Sequence, residues 1–290
     1  MKKYLFLVFL FISFISKGQH KTVAVSKESK PFVLGVIEEI QSSQLAEKRI
    51  LNIYLPEGYQ QNDTITYPVL YLLDGSADED FIHIAGLVQY FNFPWINTLP
   101  KTIVVGIANT NRKRDFTFKT SLESDKKIIP ASGGSDKFIA FLEQELQPFI
   151  EKKYKTKPVK TIIGQSLGGL LAAEILLKKP SLFSTYIIIS PSLWWDNGSL
   201  LALNSEILKP GYKKATSVYI GVGKEGETPG TGHRIMEADA EKFADKIKRI
   251  QCSDVKVFFD FLPNENHATV THPAVFNAFR ILNPAVKSVD

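Results

Sequence analysis

Gly164-Gln165-Ser166-Leu167-Gly168-Gly169 constrains the fold more than any other stretch, because of what flanks it. Ahead of it, Val159-Lys160-Thr161-Ile162-Ile163 reads as a short buried strand. Behind it, Leu170-Leu171-Ala172-Ala173-Glu174-Ile175-Leu176-Leu177 reads as a helix. A G-x-S-x-G at such a junction carries glycines on both sides of the serine, allowing a turn sharp enough to hold Ser166 Oγ clear of the sheet. The adjoining helix N-terminus can stabilise developing negative charge. The pentapeptide alone is a weak signal, since Gly and Ser fill many loops, and an ordinary tight turn is the competing reading. Context makes Ser166 the candidate nucleophile.

Continuous apolar runs at 69–73, 102–107, 161–163, 184–189, 217–222 and 255–261 read as fully buried parallel strands. Helical periodicity at 136–153, 167–178, 234–250 and 272–282 alternates with them. Segments 31–41 and 48–55 instead alternate apolar and polar residues, as half-solvated antiparallel strands do. The expected fold is α/β, a mostly parallel twisted sheet with helices on both faces. Sites in such sheets gather at the C-terminal strand ends.

The first residues read as a secretory leader rather than as part of the fold. Lys2-Lys3 is a charged start, Tyr4 to Ile15 is a 12-residue apolar run, and Ser16-Lys17-Gly18-Gln19 supplies small and polar residues for cleavage. A stable membrane span needs roughly 20 apolar residues; an uncleaved anchor is the alternative. The expected organisation is therefore a leader at 1–19 and one domain at 20–290, secreted or periplasmic, with no stable span once the leader is gone. Losing Lys2, Lys3 and Lys17 lowers the formal charge from +5 to +2, and no long basic run follows, so nucleic acid is not an expected partner. Cys252 is the only cysteine, which rules out an intramolecular disulfide. Metal and cofactors find little support: there is no H-E-x-x-H, H-x-H or cysteine cluster, His233 and Glu237 form an isolated pair, and no Gly-rich nucleotide loop follows the first parallel strand.

A serine needs a base to take its proton. Of the histidines, His20, His83, His233 and His272 sit poorly for that task, whereas His267 stands in Pro263-Asn264-Glu265-Asn266-His267-Ala268, after the last strand. The chain order Ser, acid, His puts the acid on the loop Gly223-Lys224-Glu225-Gly226-Glu227-Thr228-Pro229-Gly230. Glu225 and Glu227 both qualify; Glu227 is slightly favoured for its extra distance from the strand, and Glu265 is poorer because it shares the histidine's loop. The plainer alternative is a pair of surface carboxylates. For the oxyanion hole, Leu167 supplies one backbone N–H, and Gly75 or Ser76 of Asp74-Gly75-Ser76 the other. Arg112 and Arg114 follow one strand, and Trp194 and Trp195 another, so these four are candidates for a substrate rim. A solvated loop and packing beneath it are the plainer readings.

Together these residues resemble the esterase branch of the α/β-hydrolases, which holds siderophore esterases of the enterobactin and salmochelin type, with S-formylglutathione hydrolases and feruloyl or acetyl-xylan esterases more distant. The resemblance runs from about residue 33 to 283. It is carried by Tyr54-Leu55-Pro56-Glu57-Gly58-Tyr59, Tyr67 to Gly75, Asn109-Thr110-Asn111-Arg112, Gly164 to Gly169, Ser190-Pro191-Ser192-Leu193-Trp194-Trp195 and Glu265-Asn266-His267. It implies an ester-hydrolysing enzyme with Ser166 as nucleophile and His267 as base. Gln165 stands where such esterases often have His, and the acid is irregularly placed in the branch, some members being closer to a Ser–His dyad. The implied activity is secreted ester hydrolysis on siderophore-type esters. Acetyl or feruloyl esters of polysaccharide are the alternative, and acyl transfer or a catalytically silent binding protein are further ones.

Overall fold

The alternating segments near the N-terminus form an antiparallel pair, β1 (Val36–Ser42) and β2 (Glu47–Tyr54). The apolar runs form β3 (Tyr67–Leu72), β4 (Ile103–Ile107), β5 (Thr156–Gln165), β6 (Thr185–Ile189), β7 (Thr216–Gly223) and β8 (Val255–Leu262). The computed structural model describes residues 29–62, 64–228 and 233–284, so the expected leader lies outside the described residues. The described residues from Leu34 onward make up one compact unit.

The eight strands lie in the order β1-β2-β4-β3-β5-β6-β7-β8. β2 meets β4 antiparallel, and every pair from β4 onward to β8 is parallel. Strand side chains alternate between faces, so β3 sends Val69 and Tyr71 into one core and Leu70 and Leu72 into the other. α1 (Phe81–Asn92) and the C-terminal helix cover the second face. The first carries α4 (Ser135–Phe141), α5 (Gln147–Lys153), α6 (Leu167–Lys178) and α8 (Met236–Lys248). Two short helices, α2 (Arg112–Asp115) and α3 (Glu123–Ile128), lie between α1 and α4; α7 (Trp195–Ala202) follows β6, and α9 (Thr271–Leu282) closes the fold.

Three departures from the sequence expectation have physical causes. The helix expected over 136–153 is broken by a π-turn at Leu142–Leu146. Pro148, in the first turn of α5, has no N–H to give the carbonyl four residues back, and the widened turn absorbs the lost bond. α1 was not expected, although Phe81, Ile84, Ala85, Val88 and Phe91 bury one face at helical spacing. Inside α7, Asp196, Asn197 and Gly198 take left-handed conformations, which bends the chain directly after the two tryptophans.

Candidate active site

β5 ends at Gln165 and α6 begins at Leu167, leaving Ser166 alone at the turn with φ 60 and ψ −118. A non-glycine residue in this region costs roughly 1–3 kcal/mol and persists only where its surroundings over-determine it. Here they do. The Ser166 N–H donates to the Ile189 carbonyl at 3.0 Å, pinning the turn to β6. A Cβ on Gly164 would stand 2.3 Å from the Gly168 carbonyl oxygen, and one on Gly169 would stand 2.8 Å from that of Ile189. Both glycines are therefore space requirements of the turn.

His267 comes from the loop between β8 and α9. That loop is tied to the one after β7 by the Lys224 N–H, which donates to the Glu265 carbonyl at 2.8 Å. His267 Nε2 lies 3.0 Å from Ser166 Oγ, and its Nδ1 lies 2.6 Å from Glu225 Oε2. The Glu225 side chain is 3% exposed, against 47% for His267. A carboxylate so enclosed needs donors, and it has them: Ser190 Oγ–H bonds its second oxygen, with the Gly223 N–H at 3.3 Å.

The preference for Glu227 is thus corrected: Glu225, not Glu227, meets the imidazole. Glu227 forms an isolated bridge with Ile235 and turns its carboxylate to His233 at 3.2 Å, both side chains being exposed. Gly226 separates the two glutamates with φ 71, so the chain reverses between them and distance along the loop does not measure reach. A further residue holds the arrangement. Glu237 of α8 accepts the N–H groups of Glu225 at 2.8 Å and Gly226 at 3.0 Å, so it anchors the loop. His83 and His272 pack ring to ring at 4.5 Å between α1 and α9, and burial pushes the His272 imidazole below its usual pKa.

Two neighbours of Ser166 were given no site role in the sequence reading. Gln165 Nε2–H donates to the His267 carbonyl at 3.0 Å and stands 3.3 Å from its Nε2. Ser192 Oγ lies 3.4 Å from Ser166 Oγ, and its N–H donates to the Ser166 carbonyl at 3.0 Å. The signal for both was position alone, beside the nucleophile in one case and after β6 in the other.

Of the proposed oxyanion donors, the Leu167 N–H opens α6 and has no acceptor among the described residues. Gly75 is corrected: its N–H is taken by the Ile107 carbonyl at 3.0 Å. It is a glycine because a Cβ would meet Gly106 Cα at 2.4 Å, not because substrate must approach. The Ser76 N–H is held by a long bond to Glu79 Oε2, 3.3 Å.

The arginine rim is corrected as well. Arg112 grips Asp74 with two bonds, 2.6 and 2.8 Å, and reaches the Gln165 carbonyl at 3.2 Å, bracing the end of β5 from behind. Burial disfavours its charge, but the Asp74 bonds outweigh that and raise its pKa above the usual arginine value. Arg114 is bound by Glu47 at 2.6 Å and by Asp115 at 2.7 Å. Trp195 is fully buried, its Nε1–H donating to the Phe118 carbonyl at 2.9 Å. Of the four rim candidates, only Trp194 lines the cleft, an opening of about 260 Å³ shared with Ser166, Ser192, Glu225, Glu227, Thr228, Met236 and His267. A larger hollow, about 590 Å³ between α6, α8 and the loop after α7, holds Ser205 and several charged side chains but no histidine to activate the serine.

The family described as "Putative esterase" matches residues 42–258. The chain is 28% identical to the ferri-bacillibactin esterase BesA of Bacillus subtilis (strain 168), over 87% of this chain and 91% of that one. Among solved structures it is similar to an IroE-like serine hydrolase from Shewanella oneidensis, with a TM-score of 0.77 and 32% identity, covering 87% of this chain and 82% of the other. It also shares the fold of the siderophore hydrolase EstA from Aspergillus nidulans, with a TM-score of 0.78 at 20% identity, covering 90% and 99% of the two chains. The chain belongs to the "Putative esterase" family and is a serine ester hydrolase with the α/β-hydrolase fold.

Proposed function

We propose that the chain hydrolyses siderophore-type esters through an acyl-enzyme on Ser166, outside the cytoplasm. The observation that carries the mechanism is the relay of Glu225, His267 and Ser166, with its 2.6 and 3.0 Å separations. Neutral His267, with Nδ1–H donating to Glu225, leaves Nε2 free to take the Ser166 proton as Oγ attacks the ester carbonyl. Glu225 steadies the imidazolium and fixes the tautomer without taking the proton. The Leu167 N–H, aligned with the positive end of α6, receives the oxyanion. His267 then protonates the leaving alcohol, and a water activated by the same base releases the acid and frees the serine.

The substrate class is supported by the activities named for BesA and EstA and by the aromatic wall that Trp194 offers beside the serine. A second reading, an aromatic acyl ester of polysaccharide such as a feruloyl ester, rests on the same tryptophan. The leader at 1–19 supports export; a mature chain beginning near residue 20, read by mass spectrometry of the extracytoplasmic fraction, is the expected result, and a full-length chain retained in the cytoplasm contradicts it. Substrate class is tested by comparing kcat/KM on a cyclic triester with three catecholamide arms and on methyl ferulate, with S166A as the blank. The triester should exceed the ferulate by about a hundredfold, since recognised parts of a substrate contribute to its transition state. The opposite order moves the assignment to the polysaccharide ester.

A further inference from the structure

Acylation of the serine takes away one of the bonds that hold the base. In the resting site the His267 imidazole is gripped at both ends, by Glu225 Oε2 at 2.6 Å on Nδ1 and by the Ser166 hydroxyl at 3.0 Å on Nε2. Once Oγ carries an acyl group it has no hydrogen to donate, and Nε2 must take its proton from water instead. Of those two grips only the one on Nδ1 is left, and a single bond is a pivot for a side chain that is 47% exposed. Resting on the acyl-enzyme proposed above, we infer that Gln165 is the positioning residue that keeps His267 over the site through this second half of the reaction.

The main chain around His267 is tied to itself rather than to the nucleophile. The Asn266 N–H donates to Thr269 Oγ1, the Ala268 N–H to Asn266 Oδ1, and the N–H groups of Thr269 and Val270 to the Asn266 carbonyl. The Lys224 N–H on the Glu265 carbonyl joins the loop to that of the acid. Among the described residues, the hydrogen bond on the His267 main chain is the one from Gln165, whose Nε2–H donates to its carbonyl at 3.0 Å. A carbonyl oxygen only accepts, so the amide must turn its nitrogen there. The same nitrogen stands 3.3 Å from the ring Nε2. One amide thus meets His267 at its backbone and at its ring. Neither contact involves Ser166 Oγ, so acylation leaves both in place.

The amide also stands on a stiff base. Gln165 ends β5, in register with Ile189 of β6, and its carbonyl accepts from Arg112, itself clamped on Asp74. Supports carried on a strand hold a site more precisely than supports carried on a loop. Precision matters here, because a misplacement of about 1 Å can cost on the order of a hundredfold in rate.

The test is p-nitrophenyl trimethylacetate, whose hindered acyl group gives a long-lived acyl-enzyme, followed by stopped flow for the wild type and Gln165→Met. The burst rate reports acylation, and the steady rate per active site reports deacylation. Methionine keeps the length of the side chain without its N–H, and the burst amplitude counts active molecules, so lost folding does not mimic the effect. Deacylation should slow about tenfold, the scale of one lost hydrogen bond, while acylation changes by less than about twofold. kcat and KM then fall together and kcat/KM stays near the wild-type value. The acyl adduct on Ser166, read by mass spectrometry of quenched protein, should persist correspondingly longer. Equal slowing of the two steps, or deacylation as fast as in the wild type, overturns the inference and leaves the acyl-enzyme standing. Turnover by the wild type with no acyl adduct on Ser166 removes the acyl-enzyme reading, and the inference with it.

Discussion

In the proposed mechanism three side chains carry the chemistry, and their bonds make unequal demands. Ser166 and His267 exchange the proton directly, so S166A and H267A should each lower kcat on p-nitrophenyl acetate by roughly five to six orders of magnitude, failing as a unit rather than additively. Glu225 touches no reacting atom. Glu225→Gln, which keeps the shape but reverses the preferred imidazole tautomer, should cost about four orders and at least a hundred times more than Glu227→Gln in the same steady-state assay. Comparable losses from the two glutamates would return the acid's role to the loop as a whole. Ser166 and His267 were legible in the sequence because flanking pattern and chain order are local properties. The choice of glutamate was not: it turns on one left-handed glycine, Gly226, and on Glu237 anchoring the loop from 12 positions away in sequence.

At the scale of elements, the β5–α6 turn depends on backbone approaches that no side chain can share. Gly164→Ala should force the Gly168 carbonyl away and cost about 1–3 kcal/mol, lowering Tm by several degrees for a chain of this length; an unchanged Tm would mean that the turn can relax. Arg112 braces the same turn through Asp74 and the Gln165 carbonyl. Arg112→Ala should therefore lower kcat on p-nitrophenyl acetate and on a large catechol-armed ester in equal proportion, whereas selective loss on the large ester would restore the arginine to the substrate rim. Its structural role was hidden because its partner Asp74 lies 38 residues away; Arg114 meets Glu47 across 67 residues, and Trp195 meets Phe118 across 77. A motif read along the chain shows which side chains stand at a strand end, but not which of them the fold has already paired. The buried stripe of α1, by contrast, was open to view in its spacing.

Across the whole molecule, the sheet gathers what the sequence spreads over a hundred residues. Ser166 and His267 are 101 positions apart, yet both follow parallel strands whose C-terminal ends share one edge of the sheet. β3, β4, β6 and β7 were readable because strands buried on both faces are continuous apolar runs, and β1 and the start of β2 by their alternation, whereas β8, expected to be fully buried, is a half-exposed edge strand. The proposed chemistry requires His267 to activate Ser166 at that edge. The most direct measurement is labelling with a fluorophosphonate, followed by mass spectrometry of the modified peptide. A single adduct on the peptide containing Ser166, absent in S166A and formed at least a thousandfold more slowly in H267A, is the expected result. An adduct on another residue, or esterase activity that survives complete labelling of Ser166, would contradict it.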